Sequence, residues 1–431
     1  MTQSSSQAYN LGCRTGQPLS FPTSDFMSYP EQASSWRTFY LIAFTLAIGV
    51  MCTTLIGPLL PFYQEAWHLP TSTLTYIYVA YTFAVILAFL FLGRLTDHLG
   101  ALTVLMIATG LVIVALFMSA FAPNAHVLIA ARIVIGVASG LITTAATIGL
   151  TSFEPAGNKR IAPLVTSSVT MAGFGCGPIA AGMIAQWLPH PLHMPYLILA
   201  IPTCAALYLL LQRRHIRYAT PATSLSFKPS LVMPKSSDLP VFLVLSMSVF
   251  TAYALFNVIA SLGPSFLGDI LPWHGPLVSG AAISLVLLCS TFIQFPMRRV
   301  KSETCLRYGL SILAFSTLGL GIAIYSHSAT LFFITDVILG LGHGMTFMSA
   351  VALIVRVTHP GNRAGIVSSF FTIGYLGIIL PILAVGILAD HIGVSPATII
   401  FAFVFAAIAL GLSFCAKRYV SDIPQQTGAT A

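Results

Sequence analysis

GNKRIAPLVTSSVTMAGFGCGPIAAGMIAQWL, residues 157–188, and GNRAGIVSSFFTIGYLGIILPILAVGILADHI, residues 361–392, are two versions of one segment set 204 residues apart (361 − 157). Gly157, Asn158, Gly173, Ala180, Gly182 and Ala185 fall on Gly361, Asn362, Gly377, Ala384, Gly386 and Ala389. The same shift sets ARIVIGVASG, residues 131–140, on TDVILGLGHG, residues 335–344. It also sets PFYQE, ending at Glu65, on SFLGD, ending at Asp269. One ungapped offset through three distant blocks implies two copies of a single bundle in the same orientation. In a polytopic membrane chain, a parallel repeat marks a substrate path that runs between the halves.

The composition places both copies in a bilayer. Hydrophobic residues make up 57 % of the 431-residue chain and charged residues 7 %, against roughly 25 % charged in a soluble domain. Apolar stretches near the roughly 20 residues that cross a bilayer occur at 37–61, 74–93, 101–121, 126–151, 161–186, 194–211, 240–266, 276–296, 305–325, 329–354, 365–389 and 396–416. The expected fold is therefore an all-α membrane protein of twelve transmembrane helices in two parallel six-helix repeats. The expected parts are an N-terminal tail (1–36), a first bundle (37–211), a linker (212–239), a second bundle (240–416) and a C-terminal tail (417–431).

The basic residues orient the bundle. Of 19 lysines and arginines, all but Arg132 lie in the tails, in the linker or in the loops after even-numbered spans, as Arg94, Lys159, Arg298 and Arg356 illustrate. By the positive-inside rule that side is cytoplasmic, and both termini with it. The net charge of +8 is then a matter of topology and of anionic lipid headgroups, and implies no nucleic-acid partner. The first 36 residues lack a basic start followed by an apolar core, so no cleavable signal peptide is expected. The seven cysteines form no CxxC pair and are expected to be small packing residues, with neither disulfide nor metal implied. Short outer loops and the absence of any Asn-x-Ser/Thr sequon favour a bacterial inner membrane, and a monomer is expected.

Three segments carry a family resemblance. GRLTDHLGALTVL (93–105) is similar to the GxLaDrxGrkxxl signature of the major facilitator superfamily, with Gly93, Leu95, Asp97 and Gly100 matching and His98, Ala101 and Leu102 departing from it. The glycines allow a tight reversal, and Asp97 stands where a carboxylate can cap the next helix. LIAARIVIGVASG (128–140) resembles lxxxRxxqGxgaa, with Ile135 in place of Gln. AGFGCGPIAAG (172–182) resembles gxxxGPxxGG through Gly173, Gly177, Pro178 and Gly182; small residues four apart let helices approach closely, and Pro178 bends the helix. The resemblance covers about residues 37–416. It implies an inner-gate loop built on Gly93, Asp97, Gly100 and Glu154. The Gly173–Gly182 segment is associated in that family with antiporters, drug and metabolite efflux pumps among them, although a weaker copy at Gly377, Pro381 and Gly386 is also consistent with general packing.

Polar residues in the apolar field point to the chemistry. An arginine inside a span is costly unless it finds a partner or water, so Arg132 marks a polar path; the bland alternative is a side chain snorkelling to headgroups. Asp336 is the one acid clearly inside a span. The repeat sets it on Arg132, and sets His343 on Ser139. Asp336 and His343 are two helical turns apart and share a face. The resemblance has spans one, four, seven and ten line a central cavity, which makes Asp336, Arg132 and His343 candidates for proton coupling. A structural Asp336–Arg132 ion pair, and a packed His343, are the competing readings. Thr53, Tyr78, Tyr81, Tyr253, Asn257 and Gln294 are candidates for the cavity wall, and Glu65 and Asp269 for the outer mouth. Few charges and several rings suit a small amphipathic organic compound, a cation included, better than a polyanion.

A membrane-embedded enzyme would need a nucleophile or metal cluster such as HExxH, and no such motif or cofactor signature is visible. A channel would need a ring of like polar groups at one level. The expected function is a secondary transporter that expels a small organic compound in exchange for protons by alternating access. The alternatives are a proton-coupled importer of a small metabolite and a membrane sensor that does not transport.

Overall fold

Twelve helices of the computed structural model are long and apolar enough to cross a membrane. The structure describes residues 36–92, 95–155, 161–213, 233–270, 273, 275–297, 299–357 and 363–420. The first six spans are Trp36–Trp67, Thr71–Leu92, Ala101–Ala120, Ala125–Ser152, Val165–Trp187 and Met194–Gln212. The second six are Leu239–Ser265, Pro276–Met297, Ser302–Tyr325, Ala329–Ile354, Ser369–Ile392 and Val394–Tyr419. Most of the expected tails and linker lies outside the described residues.

The packing repeats with the sequence. Spans 1·5, 2·4, 3·4 and 3·6 are neighbours in the first half, and 7·11, 8·10, 9·10 and 9·12 are neighbours in the second. Each pair thus recurs six spans later, as a parallel repeat requires. The two halves meet chiefly through spans 5·8 and 2·11, a set that the same operation maps onto itself.

Span one differs from its expected limits. Its helix Trp36–Thr53 gives way to a turn and a 3-10 segment, Gly57–Leu59, before helix Leu60–Trp67 carries on for two more turns. Pro58 and Pro61 cause the break, because neither can donate to the carbonyl four residues back. Span two also departs from α geometry, ending in a π-helical turn at Ala88–Leu92. After it, the one-turn helix Leu95–Leu99 leads to Gly100, whose φ of 84° suits glycine. Gly100 is itself the N-cap of span three, with no side-chain capping bond. The side chain of Asp97, together with Gly93, lies outside the described residues, as do Lys159 and Arg160 beside Glu154.

Large apolar side chains cover the outside of the bundle, among them Tyr40, Ile201, Phe315 and Phe414, each more than half exposed. In water this would be a liability; against lipid it is the complementary surface.

Candidate functional site

The site is built on close helix contacts at glycines. A Cβ on Gly136 would collide with the Tyr81 carbonyl and the Ala84 methyl, so spans two and four touch backbone to backbone there. Gly340, its repeat mate, does the same in the second half, where a Cβ would meet the Val286 carbonyl at 2.6 Å and the Cys289 Cβ at 2.8 Å. These contacts bring Tyr81 beside Arg132 and span eight beside His343.

Arg132 is buried. Its Nη1 donates to the Thr53 carbonyl at 2.8 Å, and its guanidinium carbon lies 4.8 Å from the Tyr81 ring centroid. Its Nε has no hydrogen-bond partner. The helix break after Thr53 explains the first contact, since a carbonyl left without its intrahelical donor is open to a side chain. Two turns further on, Ser139 is hydrogen-bonded to the Tyr81 hydroxyl at 3.2 Å. In the second half the repeat mate of Ser139, His343, is bonded through Nδ1 to the Ser290 hydroxyl at 2.9 Å, and its Nε2 is unpartnered.

Arg132 and His343 face one cavity of about 120 Å³. Thr53, Tyr78, Tyr81, Tyr253 and Asn257 also line it, with Thr54, Thr82 and Leu287. The Tyr78 hydroxyl donates to Asn257 Oδ1 at 3.0 Å and so links span two to span seven across the halves. Asn257 Nδ2 is held in turn by the Tyr253 carbonyl at 2.8 Å. An aromatic cluster forms the second-half wall: Tyr253 lies 5.6 Å from Phe347 and 5.7 Å from Tyr375 by ring centroid, and Phe256 lies 5.9 Å from His343.

Eight further residues line the cavity without having stood out in the sequence: Thr82, Met171, Phe174, Phe256, Leu287, Phe347, Tyr375 and Ile378. The 204-residue shift held the signal for half of them. It pairs Met171 with Tyr375, Phe174 with Ile378, and Thr53 with Asn257, and all six line the cavity. Phe347 lies four residues after His343, on the same helical face. The wall therefore draws on spans two, five, eight and eleven as well as on one, four, seven and ten.

Asp336 sits elsewhere. It is fully buried, neither carboxylate oxygen has a hydrogen-bond partner, and it is not among the lining residues. The expectation that it faces Arg132 across the cavity is corrected, and with it the structural Arg132–Asp336 ion pair. The cause is Gly340, one turn along on the same face, which draws that face of span ten onto span eight. Gln294 is likewise off the wall, donating to the Ser290 carbonyl at 3.0 Å within its own helix. Glu65 is exposed at the end of span one, beside His190 and His193. The side chain of Asp269 lies outside the described residues.

The glycines of span five divide into two groups by contact. A Cβ on Gly173 would meet the Ala47 carbonyl at 2.7 Å, and one on Gly177 would collide with the Thr54 side chain, so both pack on span one of their own half. Gly182 packs across the halves, where a Cβ would meet Leu277 Cα at 2.8 Å, and Gly280 answers it against the Pro178 carbonyl. On the other flank Gly386 packs on Thr75. Nearby, the Asp390 carboxylate accepts from the Ser72 backbone N–H at 3.2 and 3.4 Å. An acid of span eleven thus caps the start of span two, at the positive end of a helix in the other half. All these cross-half contacts lie toward the end of the bundle remote from the basic loops.

Twelve spans in a parallel 6+6 repeat, around a polar and aromatic cavity shared by both halves, define a transporter-type membrane bundle. The chain belongs to the Major Facilitator Superfamily, whose sequence pattern matches residues 42–382. The family and the structural neighbours are transporters, not enzymes. Among curated relatives, the multidrug efflux pump LfrA of Mycolicibacterium smegmatis is 26 % identical over 175 residues, 38 % of this chain and 34 % of that protein. Multidrug resistance protein 2 of Bacillus subtilis is 26 % identical over 216 residues, 49 % and 54 % of the two chains. The chain thus spans about a third to a half of the curated relatives it matches. An auto-inhibited POT family peptide transporter superposes with a TM-score of 0.72 at 13 % identity, covering 92 % of this chain and 99 % of the other. The nucleoside transporter NupG (D323A mutant) superposes at 0.69 and 16 % identity, covering 88 % and 98 %. At these identities the superpositions speak for the fold.

Proposed function

We propose that this protein is a secondary active transporter that moves a small amphipathic organic compound out of the cell in exchange for protons. The two six-helix repeats rock about the cavity at Arg132 and His343 and expose it to each side in turn. The observation that carries this reading is the cavity itself, walled by residues of both repeats, with cross-half contacts gathered toward one end of the bundle. Gly182 with Leu277, Gly280 with Pro178, Gly386 with Thr75 and Asp390 with Ser72 are the contacts that opening toward that end would break. Efflux as the direction is supported by the names of the curated relatives and by the Gly173–Gly182 segment.

Proton coupling rests on Asp336 and His343. An ionised carboxylate with no partner in a fully buried site is costly, so gain or loss of a proton at Asp336 has large energetic consequences for the packing of span ten on span eight. His343 lies two turns along the same helix and faces the cavity, so the two groups connect the substrate space to a buried proton site. The test is a substrate screen in proteoliposomes under an imposed pH gradient. Compounds that discharge the gradient as they move against the proton flux support efflux by exchange. Compounds that move with the protons identify an importer, and a full panel that leaves the gradient intact overturns coupling.

A further inference from the structure

We propose that the compound carried in this cavity bears an anionic group, a carboxylate on an aromatic or other flat apolar body, and that Arg132 is the residue that binds it. The proposal rests on the reading of the cavity as the transport site. Arg132 lines the cavity and is 4 % exposed, and its neighbours are a neutral carbonyl, that of Thr53, and the Tyr81 ring. Its Nε is left without a partner. Among the described residues lining the cavity there is no aspartate or glutamate, and Asp336, the acid that the sequence offered as counter-charge, is packed away from the wall.

A buried guanidinium without a carboxylate keeps its full field, and a bidentate carboxylate is the ligand its geometry fits. A cationic substrate would enter against that field with only the faces of the aromatic rings, and no carboxylate, to offset it. The rest of the wall suits a ring. Tyr253, Phe256, Phe347 and Tyr375 form an aromatic surface on the second-half side, and His343, whose Nε2 has no hydrogen-bond partner, lines the same space. The cavity, of about 120 Å³, is smaller than the ~300–1,000 Å³ of drug-sized ligand pockets, which suits a compact acid of one or two rings.

The test uses the purified full chain and three matched probe sets: benzoate, phenylbutyrate and 2-naphthoate, each with its carboxamide and its amine. Binding is read by thermal shift and equilibrium dialysis. The acids should bind, and their amides and amines should bind at least about tenfold more weakly, because the charge pair forms in a desolvated site. Arg132→Gln should erase the preference for the acid, while Tyr375→Ala should weaken 2-naphthoate more than benzoate and keep the preference. Elution as a monodisperse species establishes that each variant is folded, and Tyr375→Ala tests the proposal should Arg132→Gln not fold. Preference for amines or amides, acid binding unchanged in Arg132→Gln, or no acid binding at millimolar concentration overturns the inference. Met171→Trp, which fills the cavity, separates the two readings. If it blocks non-anionic compounds that the wild type transports, the transport site stands and the anion assignment falls. If it leaves all binding and transport unchanged, both fall.

Discussion

Asp336 and His343 stand seven residues apart on one helix and were expected to act on one cavity, yet only His343 reaches it. The difference lies in Gly340, which brings span eight within backbone contact and encloses the aspartate. Asp336→Asn keeps the shape of the side chain and removes its ability to ionise. Gradient-driven transport should fall to the level of downhill exchange, with substrate binding retained; unchanged uphill transport in proteoliposomes would mark Asp336 as a packing residue and leave His343 as the proton carrier to test. Polar site residues such as Arg132, Tyr81, Tyr253, Asn257 and Thr53 were legible in the sequence because each stands out against an apolar helix. Met171, Phe174, Phe256 and Phe347 do not stand out, since an apolar side chain facing a cavity and one facing lipid have the same chemistry. The placement of Asp336 was illegible for a related reason: periodicity gives a face, and only packing shows what that face meets.

The helices show the same division between pattern and contact. Their number and approximate limits follow from hydropathy, whereas the break in span one depends on Pro58 and Pro61 acting together, and the π turn of span two has no evident signal. The glycines of span five look like one motif but meet different partners. Gly177→Leu should destabilise the first half in every arrangement, because the collision with Thr54 lies within that half. Gly182→Leu or Gly280→Leu should act on one arrangement alone, where the new side chain would force the halves apart. Overpacking costs about 1–3 kcal/mol, and about 1.4 kcal/mol is a factor of ten, so the balance between arrangements should shift roughly tenfold while the melting temperature changes little. Cysteine accessibility along spans five and eight reads that balance. A melting temperature as low for Gly182→Leu as for Gly177→Leu would remove the distinction.

The repeat was the most informative feature of the sequence, and the packing carries it through in the neighbour pairs of the two halves. Orientation follows from the basic loops. A cysteine at His68 or Trp273, both exposed at the end remote from those loops, should react with an impermeant thiol reagent in intact cells, and one at Arg217 should not. Reaction at Arg217 would invert the topology. Beside the glycine contacts at that remote end, the Asp390 carboxylate on the Ser72 N–H links the halves, a cap worth about 1 kcal/mol that the proposed cycle would break and remake. This contact offers the most direct test of alternation about the Arg132–His343 cavity. With the native cysteines replaced, cysteines at positions 72 and 390 can be joined by a short reducible crosslinker and the protein assayed in proteoliposomes. Alternating access predicts that the joined protein binds substrate but does not transport it, and that reduction restores transport. Transport at the normal rate with the two positions joined would contradict it.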